Sequence, residues 1–348
     1  MNIIINKNQL SDIYNIYYGA FKPLKTFISK KEFFSIANNM YVKKNIFFPF
    51  PIYFSLNKIS RNTKFLNIFF KRKKICQLIV RDIYTFTEEE KNQLGKKIFG
   101  TTDPYHPGFN YFYFKNKYFI DCTIKDFNEN LNVIKFSKPS ELKNILINRK
   151  IVNLAGFHTR NVPHRAHEWI HQYGLKKCKN LLIQPLIGQY RAGEFKESKI
   201  IETNKKIVND IYKNSNTFFS ILNSYPRYAG PKEAIFHAMI RKNYGCTHFL
   251  IGRDHAGVSN FYDMYESQNF AKKYEKKIGI KILKFNEPYM CEGCKNIMNS
   301  NCRKCVNKNK IKISGTSIRE KISKNKNISK FLMRPEISKL LSTKSIIK

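Results

Sequence analysis

Residues 150–174 read KIVNLAGFHTRNVPHRAHEWIHQYG and predict a strand, a polar turn and a helix in succession. The apolar run 151–157 is typical of a buried strand. Pro163 opens a helical pattern that we expect to stop at Gly174, because proline favours the first turn of a helix and glycine the position after its end. The unpaired N–H groups at the start of such a helix suit a phosphate or sulfate ion. We therefore expect a site that handles a nucleotide.

Two histidines strengthen this interpretation. His164 and His167 are three residues apart, so they share one face of the first helical turn and point at the same anion. Two histidines at this spacing are also common as plain surface residues. The preceding turn of Thr159, Arg160 and Asn161, between a strand and a helix that proline opens, favours the anion-binding interpretation.

Composition limits the classes of protein to consider. The 348 residues, 42% of them hydrophobic, predict two or three domains with real cores. The net charge of +38 could serve nucleic acid, a membrane surface or small anions, but lysine is spread along the whole chain. We interpret the charge as background composition and nucleic acid as an unlikely partner. No segment approaches the ~18–20 apolar residues of a membrane span, and residues 1–10 lack the pattern of a secretory signal. We expect a cytoplasmic protein without a membrane partner.

The texture of the chain divides it into three predicted domains, 1–147, 148–285 and 286–348. The first has short apolar segments between turn residues, typical of a mainly β domain with some helix near its start. Within it, His106-Pro107-Gly108 predicts a plain turn without chemistry. The second alternates strands and helices, which predicts an α/β domain with a parallel sheet.

Three polar clusters follow predicted strands of the second domain, at 158–161 (HTRN), 188–191 (GQYR) and 252–255 (GRDH). Ligands of parallel sheets bind outside the carboxyl ends of the strands. We therefore expect these clusters to line one site.

The third domain opens with two Cys-x2-Cys pairs, which predict a compact structural zinc site. Its four ligands would be Cys291, Cys294, Cys302 and Cys305, and no position is left open for water. The alternative is four reduced, unligated thiols.

Residues 313–320 (ISGTSIRE) follow the cysteines and have two interpretations. A small-residue turn entering a helix can present N–H groups, a hydroxyl and an arginine to a phosphate. The same residues also fit a helix-capping box of Thr316 or Ser317 with Glu320.

These motifs together resemble ATP sulfurylase (sulfate adenylyltransferase), in the single-function form of bacteria and archaea. Residues 158–168 match the family's QTRNPxHRAHE, and RYAGPKEA at 227–234 continues to RDHAG at 253–257. The cysteine pairs, ISGTSIRE and RPE at 334–336 also look like the family. Two residues depart from the pattern: His158 replaces Gln, and Val162 replaces Pro. We expect an altered affinity for sulfate rather than a lost site, since imidazole can still donate a hydrogen bond.

The resemblance implies a PUA-like N-terminal domain, a Rossmann-like nucleotidyltransferase domain and a small C-terminal domain. The implied reaction joins sulfate to the α-phosphate of ATP by direct in-line attack, giving adenosine 5′-phosphosulfate and pyrophosphate. It is reversible and would run toward ATP in a sulfur oxidiser. Mg²⁺ would accompany ATP, and a homodimer is expected.

The resemblance also implies roles for individual residues. Catalysis would fall to Thr159, Arg160, Asn161, His164 and His167. Sulfate would be held by His158, Arg160, Arg253 and the amide of Ala256. ATP would contact His158, Thr159, Arg160, Asn161, Gly252, Arg253, Asp254 and His255. Phe285 would couple the occupancy of the site to the position of a loop.

Two other functions are compatible with part of the pattern. Another nucleotidylyltransferase of the same superfamily would share HxxH and the phosphate-binding turn. An RNA-binding protein could combine a β domain, a zinc knuckle and a basic chain. The match over 227–257 favours the sulfurylase, and no basic-aromatic RNA-binding run is found in the sequence.

Overall fold

The computed structural model describes residues 1–188, 191–258, 260–302, 305 and 309–347. The chain divides into two compact units. The first unit comprises Met1–Lys143, Ser224–Gly245 and Asp254–Ile282, and the second comprises Asn144–Asn223, Cys246–Arg253 and Leu283–Lys348. The predicted domain boundaries at 147 and 285 follow chain order and stay a prediction.

The first unit is built on a five-stranded mixed sheet, in agreement with the β-rich domain predicted for the start of the chain. One edge pairing is parallel and the other three are antiparallel. In spatial order its strands are Asn2–Ile4, Phe65–Phe70, Lys73–Tyr84, Tyr118–Lys125 and Phe54–Leu56. A separate hairpin pairs Tyr41–Lys43 with Ile46–Phe47.

Helices are more numerous in the first unit than the sequence predicted. The plain turn predicted at His106 is wrong, because His106 caps a helix whose first residue is Pro107. Another helix begins after Thr87, which forms a capping box with Glu90. The helices of this unit are Lys7–Tyr17, Lys30–Asn39, Glu88–Phe99, Pro107–Phe114, Gly230–Asn243, Glu266–Lys273 and Glu275–Ile278; Pro139–Asn148 leads out of it.

The second unit contains the predicted α/β sheet. The strand Ala155–Thr159 pairs in parallel with Asn180–Ile187 on one side and with His248–Ile251 on the other. Parallel pairing brings the carboxyl ends of these strands to one edge of the sheet. The main path of the sheet is Asn216–Phe219, Asn180–Ile187, Ala155–Thr159, His248–Ile251 and Lys281–Lys284, with Leu222–Asn223 also paired to Asn180–Ile187.

The helix predicted to stop at Gly174 instead runs from Arg165 to Cys178. A Cβ atom at Gly174 would lie 3.0 Å from Leu250 and 3.2 Å from Leu181. The glycine therefore lets the helix pack close to the sheet and does not end it. The other helices of the second unit are Glu197–Lys206 with the π-helical turn Ile207–Ile211, Gly315–Ser323, Pro335–Ser338 and the 3₁₀ turn Thr343–Ser345.

A small antiparallel sheet of Tyr289–Cys291, Ile297–Met298 and Lys310–Lys312 supports the cysteine pairs. Within the described part of the chain, every helix lacks the length or the apolar character needed to cross a bilayer.

Candidate active site

The carboxyl edge of the parallel sheet carries two of the three predicted polar clusters. Thr159 ends one strand and is followed by Arg160 and Asn161, while Gly252 and Arg253 follow the neighbouring strand. Of the third cluster, Gln189 and Tyr190 lie outside the described residues. The edge therefore places hydroxyl, amide and guanidinium groups side by side.

The turn after the first strand contacts the ISGTSIRE segment. Thr159 Oγ1 accepts a hydrogen bond from the backbone N–H of Asn161 at 3.1 Å. Asn161 Oδ1 in turn accepts one from Arg319 Nη1 at 2.7 Å, and Arg319 Nη2 donates to Thr316 Oγ1 at 3.0 Å. A Cβ atom at Gly315 would lie 2.5 Å from Asn161 Oδ1, so glycine is needed for this approach. The two segments that the sequence assigned to anion binding therefore meet.

The alternative interpretation of ISGTSIRE as a capping box at Thr316 or Ser317 is wrong. The helix begins at Gly315, and its N-cap is Ser314, whose Oγ accepts from the N–H of Ser317 at 3.2 Å. Glu320 pairs with Lys324 at 2.7 Å instead. Arg319 and Thr316 are consequently left on the side facing the turn of the first strand.

His164 and His167 lie face to face, with ring centroids 3.6 Å apart. His164 is the N-cap of the helix Arg165–Cys178, and its Nδ1 accepts a hydrogen bond from the N–H of His167 at 3.3 Å. Because the accepting nitrogen carries no proton, a neutral His164 has its proton on Nε2. Burial lowers the pKa of His164 well below its ordinary value and that of His167 to about 3. Both rings are therefore neutral at pH 7 and can each donate one hydrogen bond.

Both arginines of the edge pair with carboxylates that the sequence did not predict. Arg160 Nη2 donates to Glu194 at 2.8 Å, and Arg253 Nη1 donates to the two oxygens of Glu287 at 2.9 and 3.0 Å. The buried Nε of Arg253 has no hydrogen-bond partner among the described residues. Each glutamate lies 34 positions from its arginine along the chain, so no local pattern could have revealed the pairs.

The loop that carries Glu194 is fastened to residues far along the chain. Gly193 and Lys196 donate their N–H groups to the carbonyls of Ile347 and Ser345 at 2.9 and 2.8 Å. Ile347 donates back to the carbonyl of Glu194 at 2.9 Å. Backbone bonds thus fix this loop on both sides of the carboxylate.

The two departures from the family pattern have different surroundings. Val162 is fully buried in the hydrophobic core of the second unit, where its branched side chain fills space. His158 is half-buried near the end of its strand, in register with Gln184. Phe285 packs its ring against Gly252, where a Cβ atom would lie 2.4 Å from the ring. It therefore touches the backbone just before Arg253.

Asp254, His255 and Ala256 belong to the first unit. Ala256 accepts a hydrogen bond at its carbonyl from the N–H of Gly230 at 3.2 Å. His255 Nε2 and His237 Nδ1 are 3.1 Å apart, and burial lowers the pKa of His255 to about 3. These contacts tie the RDHAG loop to the turn that contains Gly230.

Four thiols form the one candidate metal centre found among the described residues. The Sγ atoms of Cys291, Cys294, Cys302 and Cys305 all lie within 4.8 Å of one another. The Cys294 and Cys302 sulfurs are 3.8 Å apart, which matches the spacing of about 3.8 Å that Zn–S bonds of about 2.3 Å give in a tetrahedron. The donor set therefore fits a metal ion of that geometry.

Comparison with known proteins identifies the family. A sequence model described as ATP-sulfurylase matches residues 135–344. The chain belongs to the ATP-sulfurylase family. A model described as a PUA-like domain matches residues 1–129. This agrees with the fold predicted for the start of the chain.

Relatives of the ATP-sulfurylase family resemble the chain along nearly its whole length. A sulfate adenylyltransferase of Ignicoccus hospitalis is 31% identical, over 98% of this chain and 90% of that protein. One of Pyrococcus abyssi is 31% identical, over 97% of this chain and 89% of that protein. These matches do not favour the RNA-binding alternative.

A solved structure shares the fold. The chain titled as a hexameric APS kinase from Thiobacillus denitrificans superposes with a TM-score of 0.74 over 97% of this chain, at 14% identity. This chain spans 62% of the length of that structure. The likeness shows the fold alone.

Proposed function

We propose that the chain is a sulfate adenylyltransferase, which joins sulfate to the α-phosphate of ATP and releases pyrophosphate. The observation that carries the proposal is the contact between the Thr159–Asn161 turn and Arg319, beside two stacked neutral histidines. This arrangement offers hydrogen-bond donors and positive charge to several anionic oxygens at once. The family membership supports the same reaction.

Sulfate is a weak dianionic nucleophile that must approach a polyanion, so neutralising charge and aligning the reactants are the main tasks of the site. In our proposal Arg160, Arg253, His158 and the amide of Ala256 hold sulfate. The buried Nε of Arg253 suits this role, since it is a donor without a protein acceptor among the described residues. Bound sulfate would then balance part of the positive charge of Arg160 and Arg253, which Glu194 and Glu287 balance in its absence.

The turn of Thr159, Arg160 and Asn161 would hold the reacting phosphorus, with Arg319 keeping the Asn161 side chain in place. His164 and His167 would donate to the leaving pyrophosphate as its charge develops. For His164 the donor is Nε2, because its Nδ1 is occupied by a backbone N–H. A neutral donor serves this role without proton transfer.

Gly252, Arg253, Asp254 and His255 would line the adenosine side, together with His158. Phe285, whose ring lies against Gly252, would couple the occupancy of the site to the position of a loop. Mg²⁺ would bind with the ATP phosphates and neutralise their charge. This ion needs few protein ligands.

The Cys₄ group is proposed to hold a structural Zn²⁺, because all four positions are thiols and none is left for water. We expect Cys291→Ser to lower the melting temperature and the bound zinc, while the rate constant of the surviving enzyme stays unchanged. Zinc content, thermal unfolding and active-site-normalised rates would be measured together, with the buried Cys178→Ser as the control. A rate loss at unchanged stability would contradict a structural role.

The proposal includes a cytoplasmic homodimer. The eight cysteines of the described residues are thiols rather than disulfides, which suits a reducing compartment. Light scattering of the purified protein tests the dimer.

The function is tested by supplying adenosine 5′-phosphosulfate, pyrophosphate and Mg²⁺ and measuring ATP. This is the downhill direction, so a slow enzyme still gives a signal. We expect ATP from the wild type and a fall of about 10²–10³-fold or more in Arg160→Ala, the loss typical of removing one key electrostatic donor. Arg149→Ala, an exposed arginine over Phe218, is the matched control. An inactive wild type, or equal activity in both variants, would refute the proposal.

A further inference from the structure

We propose that Tyr262, together with Phe99, His106 and Gly108 from the N-terminal region, braces the loop that carries Ala256. Tyr262 and His106 would then be positioning residues for sulfate binding. The inference deepens the proposed function and rests on it, since there the amide of Ala256 binds sulfate. It gives a role to the HPG segment, in which the sequence indicated no chemistry. All residues concerned belong to the first unit.

Tyr262 is the hub of the brace. Its hydroxyl lies 2.9 Å from the carbonyls of both Phe99 and Tyr228 and 3.2 Å from His106 Nε2. Burial raises the pKa of Tyr262, so the hydroxyl keeps its single proton, which the two carbonyls share. One side chain therefore joins a helix of the N-terminal region to the RYAG turn.

The direction of the His106 bond follows from its other nitrogen. His106 Nδ1 accepts a hydrogen bond from the N–H of Phe109 at 3.1 Å, as the N-cap of its helix. Burial lowers the pKa of His106, so the ring is neutral and its single proton is on Nε2. His106 therefore donates to the oxygen of Tyr262, which leaves the hydroxyl proton of the tyrosine for the carbonyls.

The turn that receives these contacts has an unusual backbone. Tyr228 and Gly230 have φ values of 60° and 47°, in the left-handed region that non-glycine residues seldom adopt. A Cβ atom at Gly230 would lie 2.7 Å from the ring of Tyr262, and one at Gly108 would lie 2.5 Å from the carbonyl oxygen of Arg227. Tyr262 and the HPG segment thus pack tightly against the turn and stabilise this conformation.

The turn contacts the RDHAG loop and so fixes the position of Ala256. The N–H of Gly230 donates to the carbonyl of Ala256 at 3.2 Å, and Ala256 is itself left-handed with φ of 59°. The φ and ψ angles of Ala256 relate its N–H, in the peptide plane shared with His255, to its carbonyl, which Gly230 holds. Tyr262 and His106 therefore act on sulfate through Gly230 and Ala256 without touching the ligand.

The test is steady-state synthesis of adenosine 5′-phosphosulfate by the full chain, with sulfate and ATP varied separately. Tyr262→Phe keeps the ring over Gly230 and removes only the hydroxyl. We expect the KM for sulfate to rise about threefold to tenfold, the size of effect of one lost hydrogen bond. The KM for ATP should change less than twofold, about the scatter of such measurements.

Tyr84→Phe is the matched control, because the buried Tyr84 hydroxyl donates to the carbonyl of Ile28 at 2.8 Å in the same unit. It should lower the denaturation midpoint as much as Tyr262→Phe and leave the KM for sulfate unchanged. His106→Asn keeps a capping acceptor but is too short to reach Tyr262. It should raise the same KM, and the double variant with Tyr262→Phe should fall short of the product of the two single effects.

The brace is refuted if Tyr262→Phe shifts the KM for sulfate no more than Tyr84→Phe does, or shifts both substrates equally. Additive effects of His106→Asn and Tyr262→Phe would also overturn it. An inactive wild type would overturn the proposed function and the brace with it, whereas an active wild type with an unchanged KM in the variants overturns the brace alone.

Discussion

Two arginine–carboxylate pairs, one in each unit, use the same chemical groups in opposite ways. In the first unit Arg227 pairs with Asp12, and their side chains are 6% and 3% exposed. The ring of Tyr225 lies 3.6 Å from the guanidinium carbon, and its hydroxyl donates to Asp12 at 2.9 Å. In the second unit Arg160 and Glu194 are 26% and 25% exposed and share one hydrogen bond of 2.8 Å.

The difference in exposure decides which arginine can exchange its carboxylate for another anion. Removing one partner of a buried pair leaves the other charge buried without solvent or a counter-ion, which is strongly destabilising. A partly exposed pair is worth little in water, and another anion can replace its carboxylate at small cost. Arg227 therefore anchors the RYAG turn to the N-terminal helix, whereas Arg160 is available to a substrate.

The largest effect is expected at the buried pair. Asp12→Ala leaves the guanidinium of Arg227 unpaired, which should lower the free energy of unfolding by about 3–5 kcal/mol. Urea denaturation measures the loss. The control is Asp210→Ala, which breaks the exposed pair with Lys206 and should cost less than about 1 kcal/mol. Similar losses in the two variants would break the distinction.

A second prediction concerns pH and sharpens the contrast between buried and exposed charge. His164, His167 and His171 of the second unit have pKa values that burial lowers. Below a pH of about 6.5, these histidines bind protons in the unfolded chain but stay neutral in the folded chain. The free energy of unfolding therefore falls as the pH falls.

We expect a loss of about 1.4 kcal/mol per pH unit for each such histidine below pH 6.5. His171→Gln should reduce this slope by one histidine, as measured by urea denaturation at several pH values. His248→Gln, at a half-buried position, is the control. An unchanged slope in His171→Gln would contradict a neutral buried ring.

The smallest effect is expected at Glu194. Glu194→Gln removes a carboxylate that competes with anions for Arg160, so the KM for sulfate should fall about twofold to fivefold, the worth of a partly exposed pair. Stability should hardly change. Glu202→Gln, which breaks the exposed pair with Lys199, is the control. A rise in the KM would mean that Glu194 orients Arg160 rather than competing for it.

Sequence reasoning was most successful where a structure depends on neighbours in the chain. The strand, turn and helix around Thr159 follow from apolar runs and proline, and the alternation of strands and helices predicted the parallel sheet. Gly174 shows the limit of the rule that glycine ends a helix. Glycine at this position allows close packing against Leu250 and Leu181, and the helix continues past it. The helix Glu88–Phe99 was missed, although Thr87 and Glu90 have the spacing of a capping box in the sequence.

The candidate site divides in the same way. The Thr159–Asn161 turn, His164, His167 and the four cysteines could be named from motifs. The partners that set their electrostatics could not, because Glu194 and Glu287 reach their arginines from other segments of the chain. The pairing of Asp12 with Arg227 spans 215 positions. Hydrogen-bonding tautomers, such as that of His106, depend on three-dimensional partners and are likewise absent from any sequence pattern.

The fastening of the loop Gly193–Lys196 by residues 345–347 has a consequence for protein synthesis. The loop leaves the ribosome long before its backbone partners exist. At about 5–20 residues per second, the delay for roughly 150 further residues is about 8 to 30 seconds. During that time the loop that carries Glu194 lacks these backbone bonds, so this side of the site is completed only after residues 345–347 have been made.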